Sequence, residues 1–355
     1  MKVKRDFILN GHAVGNVAAN LMQHDFNVNT LRPFIGNDGR SYLSVIGNDG
    51  KLSSVPVANA NATLRHEDWL SIDAAVRKAA KPRLKAVGDL VNAGLTYRVP
   101  NGMGKTVLAY EKQSDINDAS ISMDGLREGE NDRPEYEITN LPLPIIHKDF
   151  QFSARQLSTS RNSNTPLDTT MAELAARKVA EEAEKLLLGE LDTYTYGGGT
   201  IYGYTNFPSR LTKTFTSPTA GGWTASTFVD EILDARQQLR GAYHYGPYML
   251  YVNSAWDAYL DDDFKAASDI TLRERVMKID GISGIKTLDY LSTDYDLVLL
   301  QMTPDVAREV IGMDMTTVQW ETDGGMLIHF KVMTIMVPQM RDDINDNTGV
   351  LHGSV

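Results

Sequence analysis

The residues predict an α/β body of about two domains, and three observations carry that expectation. One long amphipathic helix follows Pro166, short helices and strands alternate after Ser226, and two stretches hold too little apolar side chain to stand alone. Around Pro166-Leu167-Asp168-Thr169-Thr170, Asp168 or Thr170 supplies an N-cap oxygen, and Thr170 with Glu173 has capping-box spacing. Ala172, Ala176, Val179, Ala183, Leu186 and Leu187 then recur at steps of three and four, with charged residues between them up to Leu191. Such a helix of ~20 residues spans roughly 30 Å, enough to serve as a beam for other elements. An ordinary surface helix would show the same pattern.

The length of 355 residues sets the expectation of about two domains. No apolar run is long enough to cross a bilayer, and Met1 to Asn20 lacks the apolar centre of a signal peptide, so the chain is expected to stay in the cytoplasm. The absence of cysteine removes disulfides, thiolate metal sites and cysteine nucleophiles. A net charge of −11 opposes tight wrapping of nucleic acid, which requires a surplus of Lys and Arg.

Met1 to about Leu64 is polar and repeats one turn: Ile35-Gly36-Asn37-Asp38-Gly39-Arg40 and Ile46-Gly47-Asn48-Asp49-Gly50-Lys51. Both copies read as hairpin turns, because Asn and Asp tolerate the left-handed backbone that Gly adopts freely. The segment reads as an arm ordering against something else, or as a partly disordered leader. Trp69, Ile72, Ala75, Val76 and Ala79 mark a helical face that Pro82 ends or kinks, and Leu84 to Val91 continues helically. Asn101-Gly102 is expected to turn the chain between paired strands at Leu95–Val99 and Thr106–Tyr110. Residues 112–145 hold strand-like pieces, Ala119–Met123 and Glu135–Thr139, around a charged tip at 127–133. A two-stranded excursion is not stable alone, so it lies on a neighbour or moves freely.

An extended segment at Ile145–Phe152 leads through a polar loop to the long helix. Ser226–Ala242 is a second amphipathic helix. A strand at Tyr248–Val252, helices at Ser254–Leu260 and Thr271–Ile279, and strands at Ile285–Leu288 and Leu297–Met302 follow. Ser254 with Asp257 and Thr271 with Glu274 have capping spacing, and Thr303-Pro304 reads as a further cap with proline at the first helical position. Thr317–Trp320 and Met326–Val337 read as strands.

The search for chemistry finds no assembled site. The seven histidines lack zinc-ligand spacing. Gly102-Met103-Gly104-Lys105-Thr106 lacks the first glycine of a phosphate loop, and Gly281-Ile282-Ser283-Gly284 lacks nucleophile-elbow spacing. Asp261-Asp262-Asp263 lacks the Gly and Glu of a calcium loop. No catalytic residue, cofactor or metal is expected.

At Leu141-Pro142-Leu143-Pro144-Ile145-Ile146-His147-Lys148-Asp149-Phe150, Ser153-Ala154-Arg155, Pro166 to Leu188, His244-Tyr245-Gly246-Pro247-Tyr248, Thr271-Leu272-Arg273-Glu274-Arg275, Gln301 to Val306 and Val318-Gln319-Trp320, the chain resembles tailed-bacteriophage major capsid proteins. The branch is the one related to encapsulin shells, which implies the α+β Hong Kong 97-like capsid fold, and the blocks run in family order from about Leu64 to the C-terminus. The resemblance implies an N-terminal extension at 1–64, an N-terminal arm and the start of the peripheral domain at 65–111, and an extended loop at 112–145. It implies a peripheral domain at 146–225 with a spine helix at 169–190, an axial domain at 226–322, and a return to the peripheral domain at 323–355. The implied function is a shell of pentamers and hexamers enclosing double-stranded DNA in a virion assembled in the host bacterial cytoplasm. The implied partners are further copies, scaffolding protein, portal, decoration proteins and DNA held weakly on the inner face, with no membrane. Contact candidates are Trp69, Arg127, Glu128, Glu130, Asp132 and Arg133. An encapsulin-like compartment is the alternative shell, and residues 1–64 exceed what those shells carry at this end. An enzyme using Gly102–Thr106 or Asp261–Asp263 is the alternative of another class. Lys112 and Asn131 have the side chains for a covalent Lys–Asn link, but no matching motif surrounds them and none is expected.

Overall fold

The computed structural model describes residues 31–46, 52–57, 62–114, 121, 123, 133–162, 169–265, 270–291 and 293–355. The chain forms two compact units interleaved in sequence: Met1–Thr106 with Leu143–Lys185 and Glu309–Val337, and Val107–Pro142 with Leu186–Arg308 and Pro338–Val355.

In the first unit, β1 (Phe34–Ile35), β2 (Ser41–Ile46) and β3 (Leu52–Pro56) make an antiparallel meander. The first Asn-Asp-Gly copy turns as expected: Gly36 N–H donates to Arg40 O at 2.9 Å, and Gly39 takes φ +77°. Residues 47–51 of the second copy lie outside the described residues, between strands that pair at Ile46 and Leu52.

Helix α1 (His66–Ala80) starts with Arg65 N–H donating to Asp68 and buries Trp69, Ile72, Ala75, Val76 and Ala80. The expected face is thus present, shifted at its end from Ala79 to Ala80. Trp69 Nε1 donates to Pro33 O at 3.0 Å, the Arg32 guanidinium lies 4.2 Å from its ring centroid, and Arg32 grips Asp73 at 2.8 Å. Both partners of that pair are buried; burial pushes the Asp73 carboxyl up while Arg32 pulls it down. After the break at Pro82, α2 (Lys85–Asn92) resumes.

The strands on either side of Asn101-Gly102 do not pair with each other, against expectation. β4 (Thr96–Arg98) runs parallel to residues 309–311, and β5 (Val107–Gln113) pairs with β6 (Tyr136–Pro142). Asn101 sits at φ +52°, its side chain accepts from Gly104 N–H, and a short 3-10 turn carries the chain out of β4's plane. A Cβ on Gly102 would lie 2.4 Å from Gly312, so glycine is required there.

Next come β7 (Ile146–Ser153) and α3 (Ala154–Asn162), a helix where the sequence suggested only loop. Ser153 Oγ accepts from Gln156 N–H at 3.2 Å, and Gln156 Oε1 accepts from Ser153 N–H at 2.9 Å, a reciprocal capping box. The long helix α4 (Thr170–Leu188) buries the predicted stripe and stops three residues before Leu191. Gly189 takes φ +87°, and the Leu187 and Leu188 carbonyls accept from Tyr204 and Thr205 N–H.

In the second unit, β8 (Thr195–Tyr196) and β9 (Gly199–Thr200) form a small hairpin. β10 (Leu211–Thr214), α5 (Ala225–Gly241), β11 (Tyr248–Asn253), α6 (Asp257–Leu260), α7 (Leu272–Met277), β12 (Ile282–Leu288) and β13 (Leu297–Gln301) follow. Phe228, Ile232, Ala235 and Leu239 of α5 pack into the unit's core with Leu250, Val252, Trp256 and Leu299. Thr271 caps α7 as expected, accepting from Glu274 N–H, and Thr224 caps α5, accepting from Thr227 N–H; Ser254 is not a cap, its place being taken by Asn253, which accepts from Ala255 N–H.

Thr303-Pro304 heads a turn rather than a helix, and the chain enters β14 (Ala307–Thr322). β15 (Leu327–Met340) and β16 (Val350–Ser354) complete the order. The sheets are β4-β14-β15-β7 and β10-β16-β13-β11-β12, the second mixing parallel and antiparallel pairs. Phe330 of β15 stacks on Phe150 of β7 at 5.1 Å and meets Trp69 edge-on at 5.9 Å.

Replacing Arg32 with Met would strand the Asp73 carboxylate in the core. The expected loss is about 3 kcal/mol in chemical denaturation; an unchanged midpoint would show that the pair contributes nothing.

Candidate assembly surfaces

The β5–β6 ribbon is built by strict alternation. From Val107 opposite Pro142 to Gln113 opposite Tyr136 the register has no slip, and Ser114 and Glu135 continue the pairing outward. One face carries Leu108, Leu141, Tyr110 and Lys112; the other carries Ala109, Glu111, Ile138 and Tyr136. The first face is anchored. Lys112 Nζ lies 2.5 Å from Asp342, which is 2% exposed and also accepts from Ser209 Oγ at 2.5 Å. Burial and the Asp342 carboxylate push the Tyr110 phenol up to about 12, so it stays neutral and packs as an aromatic.

Among the described residues the second face has no such anchor. Ile138 is 68% and Tyr136 60% exposed, and farther out Ile121 and Met123 are fully exposed. The β8–β9 hairpin holds the ribbon only at its base, where Asn140 Nδ2 donates to Gly197 O at 3.1 Å and a Cβ on Gly199 would strike the Asn140 carbonyl. A ribbon held on one face, with apolar side chains in water on the other, is suited to closing on another surface.

Beside the anchored face lies a cavity of about 770 Å³ lined by Tyr110, Lys112, Tyr243, His244, Arg341 and Asp343, among others. Both charge signs are present, and Asp343 is occupied by the Asn347 N–H and side-chain amide. Burial lowers the His244 pKa despite the nearby Asp305 and Asp343. In the first unit, Trp320 and His329 stack at 5.3 Å, with Lys331 Nζ 5.5 Å from the indole centroid.

The sequence-derived contact candidates divide three ways. Arg127, Glu128, Glu130 and Asp132 lie outside the described residues. Arg133 is exposed at the outer end of the ribbon. Trp69 is 4% exposed and held by Arg32, Pro33 and Phe330, so its ring belongs to the core of its own unit and is not presented to a neighbour.

The residues considered for catalysis are engaged structurally. Arg273 donates to Asp261 at 2.8 Å and to Asp257 at 2.7 Å, and Thr287 Oγ1 also donates to Asp257. Ser283 Oγ donates to the Tyr248 carbonyl. Gly102–Gly104 is a packed 3-10 turn with no helix after it. No group of three or more potential metal ligands occurs among the described residues. Glu135, Tyr136, Glu137 and Ile138 alternate charged with apolar in the sequence, as a strand with one wet face does; the Lys112–Asp342 anchor, spanning distant parts of the chain, has no such local signal.

Exchanging Lys112 for Met removes the cation from buried Asp342. Hydrogen exchange across 107–113 and 136–142 is expected to speed up by roughly thirtyfold, corresponding to about 2 kcal/mol of local stability, with β11 and β13 unaffected. Equal exchange in both proteins would refute the anchor.

Comparison with solved structures identifies the fold. The capsid of Myoviridae phage XM1 matches with TM-score 0.56 at 12% identity, over 74% of this chain and 90% of the capsid chain. A virus-like particle from Pyrococcus furiosus matches with TM-score 0.52 at 16% identity, over 79% and 96%. The type 1 encapsulin shell protein EncA of Myxococcus xanthus is 25% identical over 247 residues, 67% of this chain and 73% of that protein. The chain therefore has the mixed α+β Hong Kong 97-like capsid fold. Residues 59–353 match a single family over most of the chain, and the protein belongs to that family, described as a family of unknown function (DUF6260).

Proposed function

We propose that this chain is a shell-forming subunit, the major capsid protein of a tailed double-stranded DNA bacteriophage. Many copies build pentamers and hexamers and then an icosahedral head. The observation that carries this reading is a capsid fold matched over 90% of the XM1 capsid chain and 96% of the Pyrococcus furiosus chain. Its role is structural, not catalytic. Ring-forming contacts join unlike patches of successive copies, and closure of the ring limits growth. In this reading α4 is the spine, the β5–β6 ribbon with the residues between its strands is the extended loop, and the unit built on α5 and the five-stranded sheet includes the axial domain. Scaffolding, portal and decoration proteins, weak inner contact with DNA, and assembly in a bacterial cytoplasm belong to the same proposal.

The second reading is an encapsulin-like compartment, favoured by the 25% identity to EncA. Electron microscopy and nuclease treatment of the purified protein separate the two: closed particles with nuclease-protected DNA support the head, and closed particles with a co-purifying protein support the compartment. A protein that remains monomeric under all conditions would overturn both.

Deleting residues 127–133 is expected to leave the subunit folded by circular dichroism while lowering particle yield or heat resistance. Particles of normal yield and heat resistance would remove the ribbon from the assembly scheme.

A further inference from the structure

The cavity of about 770 Å³ beside the ribbon's anchored face is built wholly from the second unit, and its charged groups are not equally engaged. Asp342 is held by Lys112 at 2.5 Å and by Ser209 Oγ at 2.5 Å, and Asp343 accepts the Asn347 N–H at 2.7 Å and its side-chain amide at 2.8 Å. Glu111 belongs to the other face of the ribbon, and Asp305 acts on His244. Among the cations, Lys112 is paired with Asp342, and Arg308 Nε donates to Gln339 Oε1. Arg341 differs. Its backbone is fixed, the N–H donating to Val306 O at 2.8 Å and the C=O accepting from Thr348 Oγ1 at 3.2 Å, while its guanidinium makes no hydrogen bond or ion pair with any described residue.

Tyr110 borders the same cavity, and its phenol keeps its proton and is a hydrogen-bond donor. Its Oη likewise has no partner among the described residues. A guanidinium and a phenol O–H facing one cavity form a donor pair suited to a carboxylate. Two further tyrosines line the cavity with rings in water, Tyr136 on the ribbon at 60% exposure and Tyr243 after α5 at 75%. Tyr243 stands where a helix end calls for glycine. Its N–H donates to Arg240 O at 3.1 Å, the His244 N–H donates to Leu239 O at 3.0 Å, and its φ is +63°, which together are the geometry of a Schellman cap. Glycine takes that conformation freely, whereas tyrosine takes it against steric resistance. Helix termination does not require the ring; a flat apolar group entering the cavity would stack on it.

We propose that this cavity binds a carboxylate carried on a flat apolar body, with Arg341 and Tyr110 donating to the carboxylate and Tyr136 and Tyr243 packing on the body. The carboxylate is that of a free aromatic acid or of an acidic side chain flanked by aromatic ones in a peptide. The assignment does not depend on shell formation.

Calorimetric titration of the full-length protein tests the site with phenylacetate and with a tripeptide, blocked at both ends, that carries glutamate between phenylalanines. Saturable binding of at least one probe is expected, and the probe that binds identifies the source of the carboxylate. Arg341→Met should weaken that binding by about tenfold or more. Tyr243→Gly should weaken it by about threefold or more while leaving the thermal midpoint unchanged or higher, because glycine suits the cap. Failure of both probes to bind at millimolar concentration overturns the proposal, and so does native affinity in either variant. Should Arg341→Met fail to fold, Tyr110→Phe, which removes only the hydroxyl, takes its place: weaker binding supports the site and native affinity overturns it.

Discussion

The first unit depends on one constraint: β14 is buried along nearly its whole length, from Ala307 to Gln319, on both faces. A strand in that position cannot leave backbone N–H or C=O groups to water, so each must find a partner within the protein. This requirement places β15 on one side and three residues of β4 on the other. It also brings Gly102 against Gly312, a contact that any side chain on Gly102 would block. Some of the polar groups drawn into this layer are compensated, while Asp314 Oδ1, Thr317 Oγ1 and Gln319 Oε1 are buried without a hydrogen-bond partner. Asp314 is held by Arg98 at 2.9 Å, and Thr334 Oγ1 donates to Met313 O at 2.9 Å. Glu309 Oε2 has no hydrogen-bond partner, and burial pushes that carboxyl well above the usual carboxylate range.

The β5–β6 ribbon is the opposite case. Two strands with one wet face bury little, and its stability rests on the Lys112–Asp342 anchor and the β8–β9 hairpin at its base. The ribbon is thus lightly held and carries exposed apolar side chains, Tyr136 and Ile138, on one face.

Much of the element order could be read beforehand, and the misses have physical causes. The reciprocal cap of Ser153 and Gln156 starts α3 within a stretch too polar to show a helical stripe, so only the cap spacing signalled it. Thr303-Pro304 has the chemistry of a helix start, yet the residues after it are claimed by pairing with neighbouring strands. The pattern around Trp69 located a true apolar face but assigned its indole to a neighbouring subunit; Arg32, which closes over the ring from 37 positions upstream, carries no local signal of that role.

By itself, the sequence determined the long helix and its stripe, the first Asn-Asp-Gly turn, the alternation along the ribbon and the absence of cysteine chemistry. These follow from short-range periodicity and backbone preference, which act over a few residues. Only the tertiary structure decided which strands pair, that Asp261 answers to Arg273, that Glu184 caps a helix 98 positions away, and that Trp69 is core. Those outcomes depend on desolvation and on partners distant in sequence, and a buried polar group is satisfied by whatever the fold brings to it.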